Sequence, residues 1–271
     1  MELTSQDIAG FLGAAREAAN AAGEIIRANW QEPKSIDYKG AIDLVTSVDR
    51  DSERKIVAVL LRHFPGHSIL AEEETDLTGP EHQLRWIIDP LDGTTNFAHG
   101  FPQFCVSIAL ENQGQMVIGL VYDPLRRECF RAVRGQGATL NGTPIRTSTA
   151  TELDKSLLAT GFPYDHREHA DFYLNYFRAF TTHCQGIRRG GSAALDLCYV
   201  ACGRLDGFWE FKLKPWDTAA GALIVSEAQG KLSNFSGEPF SIWGSETLAT
   251  NAKIHDEMVT ITRAVTSTNV D

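Results

Sequence analysis

The stretch Arg85-Trp86-Ile87-Ile88-Asp89-Pro90-Leu91-Asp92-Gly93-Thr94-Thr95-Asn96-Phe97 constrains this chain more than any other. Trp86-Ile87-Ile88 reads as a short buried strand, and Asp89-Pro90 ends it, because proline has no N–H to give a central ladder. Asp89 and Asp92 flank that proline. Gly93-Thr94-Thr95 then offers backbone N–H groups and a hydroxyl where a helix opens. Hard carboxylate oxygens suit Mg²⁺, and a glycine followed by a helix start suits an anion, so the pattern points to a metal beside a phosphate at a strand end. A strand, an Asx-type turn and an N-cap would use the same residues for conformation alone.

The flanking sequence predicts the scaffold. From Asp7 to about Trp30, Ile8, Phe11, Ala15, Ala18, Ala22, Ile25 and Ile26 recur at helical spacing. A helix over Ser52–His63, stopped by Pro65-Gly66, follows a short strand that delivers Asp49 as its N-cap, with Asp43 a turn residue before it. His67–Ala71 reads as a strand leading into Glu72-Glu73-Glu74. Successive strand residues face opposite ways, so Glu72 and Glu73 point at one spot only if the strand has ended. That end lies a loop before the strand ending at Asp89, and carboxyl ends of neighbouring strands gather ligands, whereas a solvated acidic loop is the plainer use of three glutamates. Phe104–Glu111, Met116–Tyr122 and Glu128–Val133 read as an antiparallel meander, with a tight turn at Asn141-Gly142.

The second half alternates: a strand at Leu157–Thr160, a helix over Asp171–Phe180, Ser192 as N-cap of an apolar helix, a strand over Leu205–Glu210, and a helix from Pro215 to a stop at Gly230. Asp217, at the start of that last helix, is either a bare N-cap or a carboxylate kept ionised by the positive helix end. The whole of 1–271 reads as one domain with halves of about 1–146 and 147–265, and Thr266–Asp271 as a disordered polar tail.

A chain of 271 residues with 43 % hydrophobic content can bury a sizeable core. Its net charge of −10 opposes an extended nucleic-acid or anionic-membrane surface. An anionic substrate would then need bound cations to invert the local field. The five cysteines include no CxxC pair, which fits buried thiols in a reducing cytoplasm. Neither a leader nor an apolar run of membrane-spanning length is evident. Arg188-Arg189 reads first as a solvated pair, with a partner or substrate role the minority reading.

Three stretches taken together, Ala71-Glu72-Glu73-Glu74, Trp86–Phe97 and Pro215-Trp216-Asp217-Thr218-Ala219-Ala220-Gly221, resemble the signatures of the inositol monophosphatase family of Mg²⁺-dependent, lithium-sensitive phosphatases, above all its bacterial members. Leu91 stands where many members have Ile. The resemblance implies an α/β (α+β) layered αβαβα sandwich of the kind shared with fructose-1,6-bisphosphatase, a homodimer, and hydrolysis of inositol 1-phosphate by metal-activated water. Carried over position by position, Glu72, Asp89, the Leu91 carbonyl, Asp92 and Asp217 would hold Mg²⁺. Glu72, Thr94 and Asp49 would form the catalytic group, Thr94 and Asp49 orienting the attacking water. Asp92, Gly93, Thr94, Gly191, Ser192, Ala193, Glu210 and Asp217 would face the substrate, with the Glu210 carboxylate accepting from polyol hydroxyls. Lys39 falls near a loop that supplies another basic contact. Related activities on fructose 1,6-bisphosphate or histidinol phosphate, and a regulatory binding protein that keeps the phosphatase fold and uses Arg188-Arg189, are the alternatives.

Overall fold

The computed structural model describes residues 3–32, 36–38 and 44–268; Lys39 and Asp43 lie outside them. Helix α1 (Ser5–Ala28) opens on a capping box in which Thr4 and Asp7 satisfy each other's backbone N–H. It buries Phe11, Ala14, Ala15, Ala18, Ala19, Ala22 and Ile26 on one face. The short pair β1 (Ile36–Tyr38) and β2 (Leu44–Thr46) leads into α2 (Ser47–His63). Here the sequence reading is corrected: the helix starts before Ser52, and Asp49 is not its N-cap. The Thr46 hydroxyl takes that role by accepting from Val48 N, while Asp49, one turn in, accepts from Thr46 N through Oδ2 at 2.9 Å.

Strands β3 (His67–Ala71), β4 (Asp76–Leu77) and β5 (Glu81–Asp92) follow, then the single-turn α3 (Thr94–Ala98). β5 does not stop at Asp89-Pro90. Its parallel neighbour β3 ends opposite Ile88, and on the other side Pro90 and Leu91 together face one residue of β6 (Cys105–Asn112), since Asp89 pairs with Ser107 and Asp92 with Cys105. The proline sits in a bulge where no ladder donor is required, so the strand survives it. β7 (Gln115–Asp123), β8 (Glu128–Val133), β9 (Gly137–Leu140) and β10 (Thr143–Ile145) complete the expected meander in a sheet of order β10-β9-β8-β7-β6-β5-β3-β4.

A second sheet has order β12-β11-β13-β15-β14. It comprises β11 (Leu157–Thr160), β12 (Gly186–Arg188), β13 (Gly207–Phe211), β14 (Lys231–Ser233) and β15 (Glu246–Thr250), interleaved with α4 (Ala170–Thr181), α5 (Ala193–Ala201) and α6 (Pro215–Glu227). The last helix, α7 (His255–Thr268), overruns the tail expected to be disordered from Thr266. Its first turns bury Met258 and Val259 against the second sheet, which outweighs its polar composition.

The layers alternate helix, sheet, helix, sheet, helix, as the αβαβα expectation has it. α1 and α2 cover one face of the large sheet through Phe11, Ile26, Ile56, Trp86 and Ile88. α5 and α6 are sandwiched between the sheets, and both are therefore apolar nearly all round. α4 and α7 cover the outer face of the small sheet through Tyr173, Tyr176, Phe180, Trp209 and Met258. Burying each large side chain of this kind contributes about 1.5–3 kcal/mol. Among the described residues all five cysteines are free thiols, and no helix is long and apolar enough to cross a membrane.

Candidate active site

The layering brings the carboxyl ends of β3 and β5 to the N-termini of α5 and α6, around a cavity of about 840 Å³. Glu72, Asp92, Gly93, Thr94, Gly191, Ser192, Ala193, Glu210 and Asp217 all line it. Asp49, Asp89 and Leu91 lie beneath, each 1 % exposed.

Local sequence explains how each group is aimed. The bulge at Pro90-Leu91 turns Asp89 and Asp92 toward the same end of β5. Gly93 adopts φ +99°, and a Cβ there would come within 2.8 Å of the Gln103 carbonyl, so only glycine fits this turn. Thr94 opens α3, and its hydroxyl lies 2.8 Å from Asp49 Oδ1 and 3.0 Å from the Leu91 carbonyl, with one proton to give to either. The Asp49 carboxylate thus ties α2 to the β5 turn.

Asp92 Oδ2 accepts from Ser192 Oγ at 2.7 Å and from Ala194 N at 2.8 Å. Ser192 stands at the N-cap position of α5 as expected, yet its side chain makes no cap there and reaches across to Asp92 instead. Asp217 is likewise no N-cap: it sits in the first turn of α6, where Oδ2 accepts from Lys214 N at 2.6 Å. Asp89 Oδ1 accepts from Leu91 N at 2.9 Å.

The cluster is electrostatically costly as it stands. Burial, and then the facing charges of Glu72, Asp92 and Asp217, push the Asp89 carboxyl far above its ordinary range. Burial and the charges of Asp92 and Glu72 do the same to Asp217. At Asp217 desolvation and like charge thus oppose the positive helix end. Burial lifts Asp92 to about 6 against the pull of its donors from Ser192 and Ala194. Among the described residues no three Asp, Glu, His or Cys side chains close into a finished ligand cage. Asp89, Asp92 and Asp217 each accept a backbone N–H on one oxygen, from Leu91, Ala194 and Lys214 respectively. Hard oxygen donors that feel one another's charge at the end of a cleft are the chemistry a small divalent cation fits.

Glu210 lines the same cavity from β13. Burial, with Asp196 the foremost charged neighbour, lifts it to about 8, so at neutral pH it carries a proton and can donate as well as accept. Burial thus works against the charged form in which Glu210 is expected from the sequence to accept. Both its oxygens lie against Gly161, where an added Cβ would sit 2.1–2.2 Å from them.

Three contributors escaped the sequence reading. Glu53 is buried on α2, one turn beyond Asp49; the four-residue spacing was its only signal. Asn96 Nδ2 lies within hydrogen-bond reach of the carbonyls of Gln103, Gly190 and Gly191, and so joins the α3 turn to the α5 approach. Asp196, taken only as part of an apolar helix, is a buried acid beside Asp92 and Glu210. Arg188 and Arg189 are both exposed, and Arg189 alone of the two lines the cavity.

A five-layer α/β scaffold that collects buried carboxylates and two helix starts at one cleft defines a class of protein suited to holding cations next to an anionic group. A profile of the inositol monophosphatase family matches residues 7–267. The inositol-1-monophosphatase of Synechocystis sp. is 49 % identical over 253 residues, spanning 93 % of this chain and 88 % of that protein. The Nus factor SuhB of Escherichia coli (strain K12) is 47 % identical over 229 residues, 84 % of this chain and 86 % of that one. The solved inositol monophosphatase from Anabaena (Nostoc) sp. superposes with a TM-score of 0.87 at 44 % identity, covering 95 % of this chain and 97 % of that one. The chain belongs to the inositol monophosphatase family.

Proposed function

We propose that the chain is a Mg²⁺-dependent phosphomonoesterase acting on inositol 1-phosphate. The observation that carries this is the meeting of Glu72, Asp89, Asp92 and Asp217, pressed together in charge and largely desolvated, with the Gly93-Thr94 helix start at one cavity. Glu72, Asp89, the Leu91 carbonyl, Asp92 and Asp217 would hold the metal. When bound, Mg²⁺ supplies Lewis-acid activation of water and charge neutralisation at the phosphoryl group.

The chain's own groups do the rest. The N–H groups at Gly93 and Thr94 face a phosphate approaching the start of α3. The Thr94 hydroxyl, held by Asp49, orients the incoming water. Gly191, Ser192, Ala193 and Glu210 offer backbone and side-chain hydrogen bonds to the polyol, with Glu210 in its protonated form. Lithium sensitivity, a homodimeric assembly and a cytoplasmic location complete the reading on family grounds. A phosphatase panel ranked by kcat/KM tests it. Inositol 1-phosphate should lead fructose 1,6-bisphosphate and histidinol phosphate, and a clear lead for either of those would replace the substrate assignment.

The similarity to relatives named Nus factor SuhB favours a second role as a regulatory binding protein. Exposed Arg188 on β12 is the contact we assign to it, separate from cavity-lining Arg189. Unchanged protein capture from native lysate by Arg188→Ala would remove that assignment.

A further inference from the structure

We infer that Glu53 is a positioning residue that fixes the Glu72–Thr75 turn, and through it the Glu72 carboxylate, relative to the end of β5. This rests on the Mg²⁺ site proposed above. Glu53 is only 2 % exposed and lies on α2, yet all four of its hydrogen bonds reach 20 to 22 residues along the chain. Oε2 accepts from Glu73 N at 2.8 Å. Oε1 accepts from Glu74 N at 2.9 Å, and from Thr75 N and Thr75 Oγ1 at 2.8 Å each. The turn closes through Ala71 N donating to the Thr75 carbonyl at 2.8 Å, and Glu72 N donates to the Ile88 carbonyl at 3.2 Å.

Four donors on two oxygens is a pattern that a carboxylate meets at both ends and an amide cannot, since its nitrogen would confront a donor. A buried acid beneath three further glutamates adds negative charge, so filling space does not account for it. The helix geometry does. Asp49 and Glu53 are four residues apart on one face of α2. The first grips Thr94 at the β5 turn, and the second grips the loop that follows β3. One helix face therefore sets the spacing between the two segments that supply Glu72, Asp89 and Asp92. Residues that orient metal-ligating carboxylates typically change metal affinity by about 10–100-fold when altered.

The test uses the full chain and the variant Glu53→Gln. In EDTA, amide hydrogen exchange over residues 73–75 should quicken by about tenfold, the loss of roughly one hydrogen bond's protection, while α1 exchange stays as in the wild type. Mg²⁺ alone, titrated against the thermal midpoint, should reach half-saturation at a concentration about 10–100-fold higher, with kcat at saturating Mg²⁺ within about threefold. Leu60→Ala, a core truncation on the same helix, should lower Tm yet leave the Mg²⁺ half-saturation unchanged. If Glu53→Gln does not fold, Thr75→Val removes one of the four donors and should shift half-saturation about threefold in the same direction. Unchanged exchange at 73–75, unchanged Mg²⁺ half-saturation, or an equal shift in Leu60→Ala would overturn the assignment. A wild type whose Tm ignores Mg²⁺ would overturn the metal-site reading on which it rests, and the exchange measurement separates that failure from failure of the Glu53 assignment itself.

Discussion

Replacing Glu210 by glutamine should stabilise the protein in a pH-dependent way, and the size of the effect follows from where Glu210 sits. Its carboxyl, packed on Gly161 and buried beside Asp196, is raised from 4.5 to about 8. In the unfolded chain at pH 7 that group is ionised, and on folding it must take up a proton. The cost is about 1.4 kcal/mol per intervening pH unit, or roughly 3 kcal/mol in all. The folded pKa is the higher one, so Glu210's contribution is favourable below about pH 4.5 and is lost as pH rises through 8. Glutamine has the shape of the protonated acid and nothing to titrate. Urea melts of the two proteins in EDTA, from about pH 5 to 8, should diverge steadily, with Glu210→Gln more stable by roughly 3 kcal/mol at neutral pH. Its kcat/KM for inositol 1-phosphate near pH 6.5 should stay within about threefold of wild type, because an amide replaces a neutral acid there. Parallel stability curves, or a large activity loss at that pH, would show that Glu210 is an ionised acceptor and refute the reasoning.

Gly161→Ala places a methyl group where the Glu210 oxygens lie, so it should lower kcat/KM for inositol 1-phosphate by about tenfold and leave p-nitrophenyl phosphate hydrolysis nearly intact; equal losses on both would show a general disruption instead. His255, fully buried between Thr250 Oγ1 and Ser233 Oγ at 3.0 Å each, is held down at about 4 by burial. A depressed histidine contributes stability that is present above about pH 6.5 and lost as pH falls through 4, on the order of 2–3 kcal/mol. His255→Gln should therefore flatten the acid limb of the urea-melt profile, and an unchanged limb would count against the assignment.

Much of the fold was legible because its signals are local. The α1 stripe, the meander and the α6 start each follow from periodicity or turn chemistry within a dozen residues. Errors arose where a distant partner decided the outcome. Pro90 reads as a strand terminator until β6 supplies the bulge that removes its need for an N–H. Ser192 reads as a cap until Asp92, a hundred residues earlier, claims its hydroxyl. Asp49 reads as an N-cap because Thr46, a better-placed cap, looked like the end of a strand. The acids were found as residue types, but their protonation was not. The helix end at Asp217 is visible in sequence, whereas the facing charges of Asp92 and Glu72 that oppose it are not. Glu53 was missed for the same reason: its four donors all belong to a loop that the sequence places elsewhere.

The central claim is that the carboxylate cluster is a Mg²⁺ site that drives phosphate release. Asp92→Asn tests it with little change of shape, since the Asn oxygen can still accept from Ser192 Oγ and Ala194 N as Asp92 Oδ2 does. The measurement is phosphate release from inositol 1-phosphate as a function of Mg²⁺ for the wild type and this variant, with Tm recorded alongside. Wild type should show saturable activation by Mg²⁺ that EDTA abolishes, and Asp92→Asn should lose kcat by orders of magnitude at every Mg²⁺ concentration with its Tm in EDTA unchanged or raised. Undiminished wild-type turnover in EDTA, or Asp92→Asn activity close to wild type, would contradict the account.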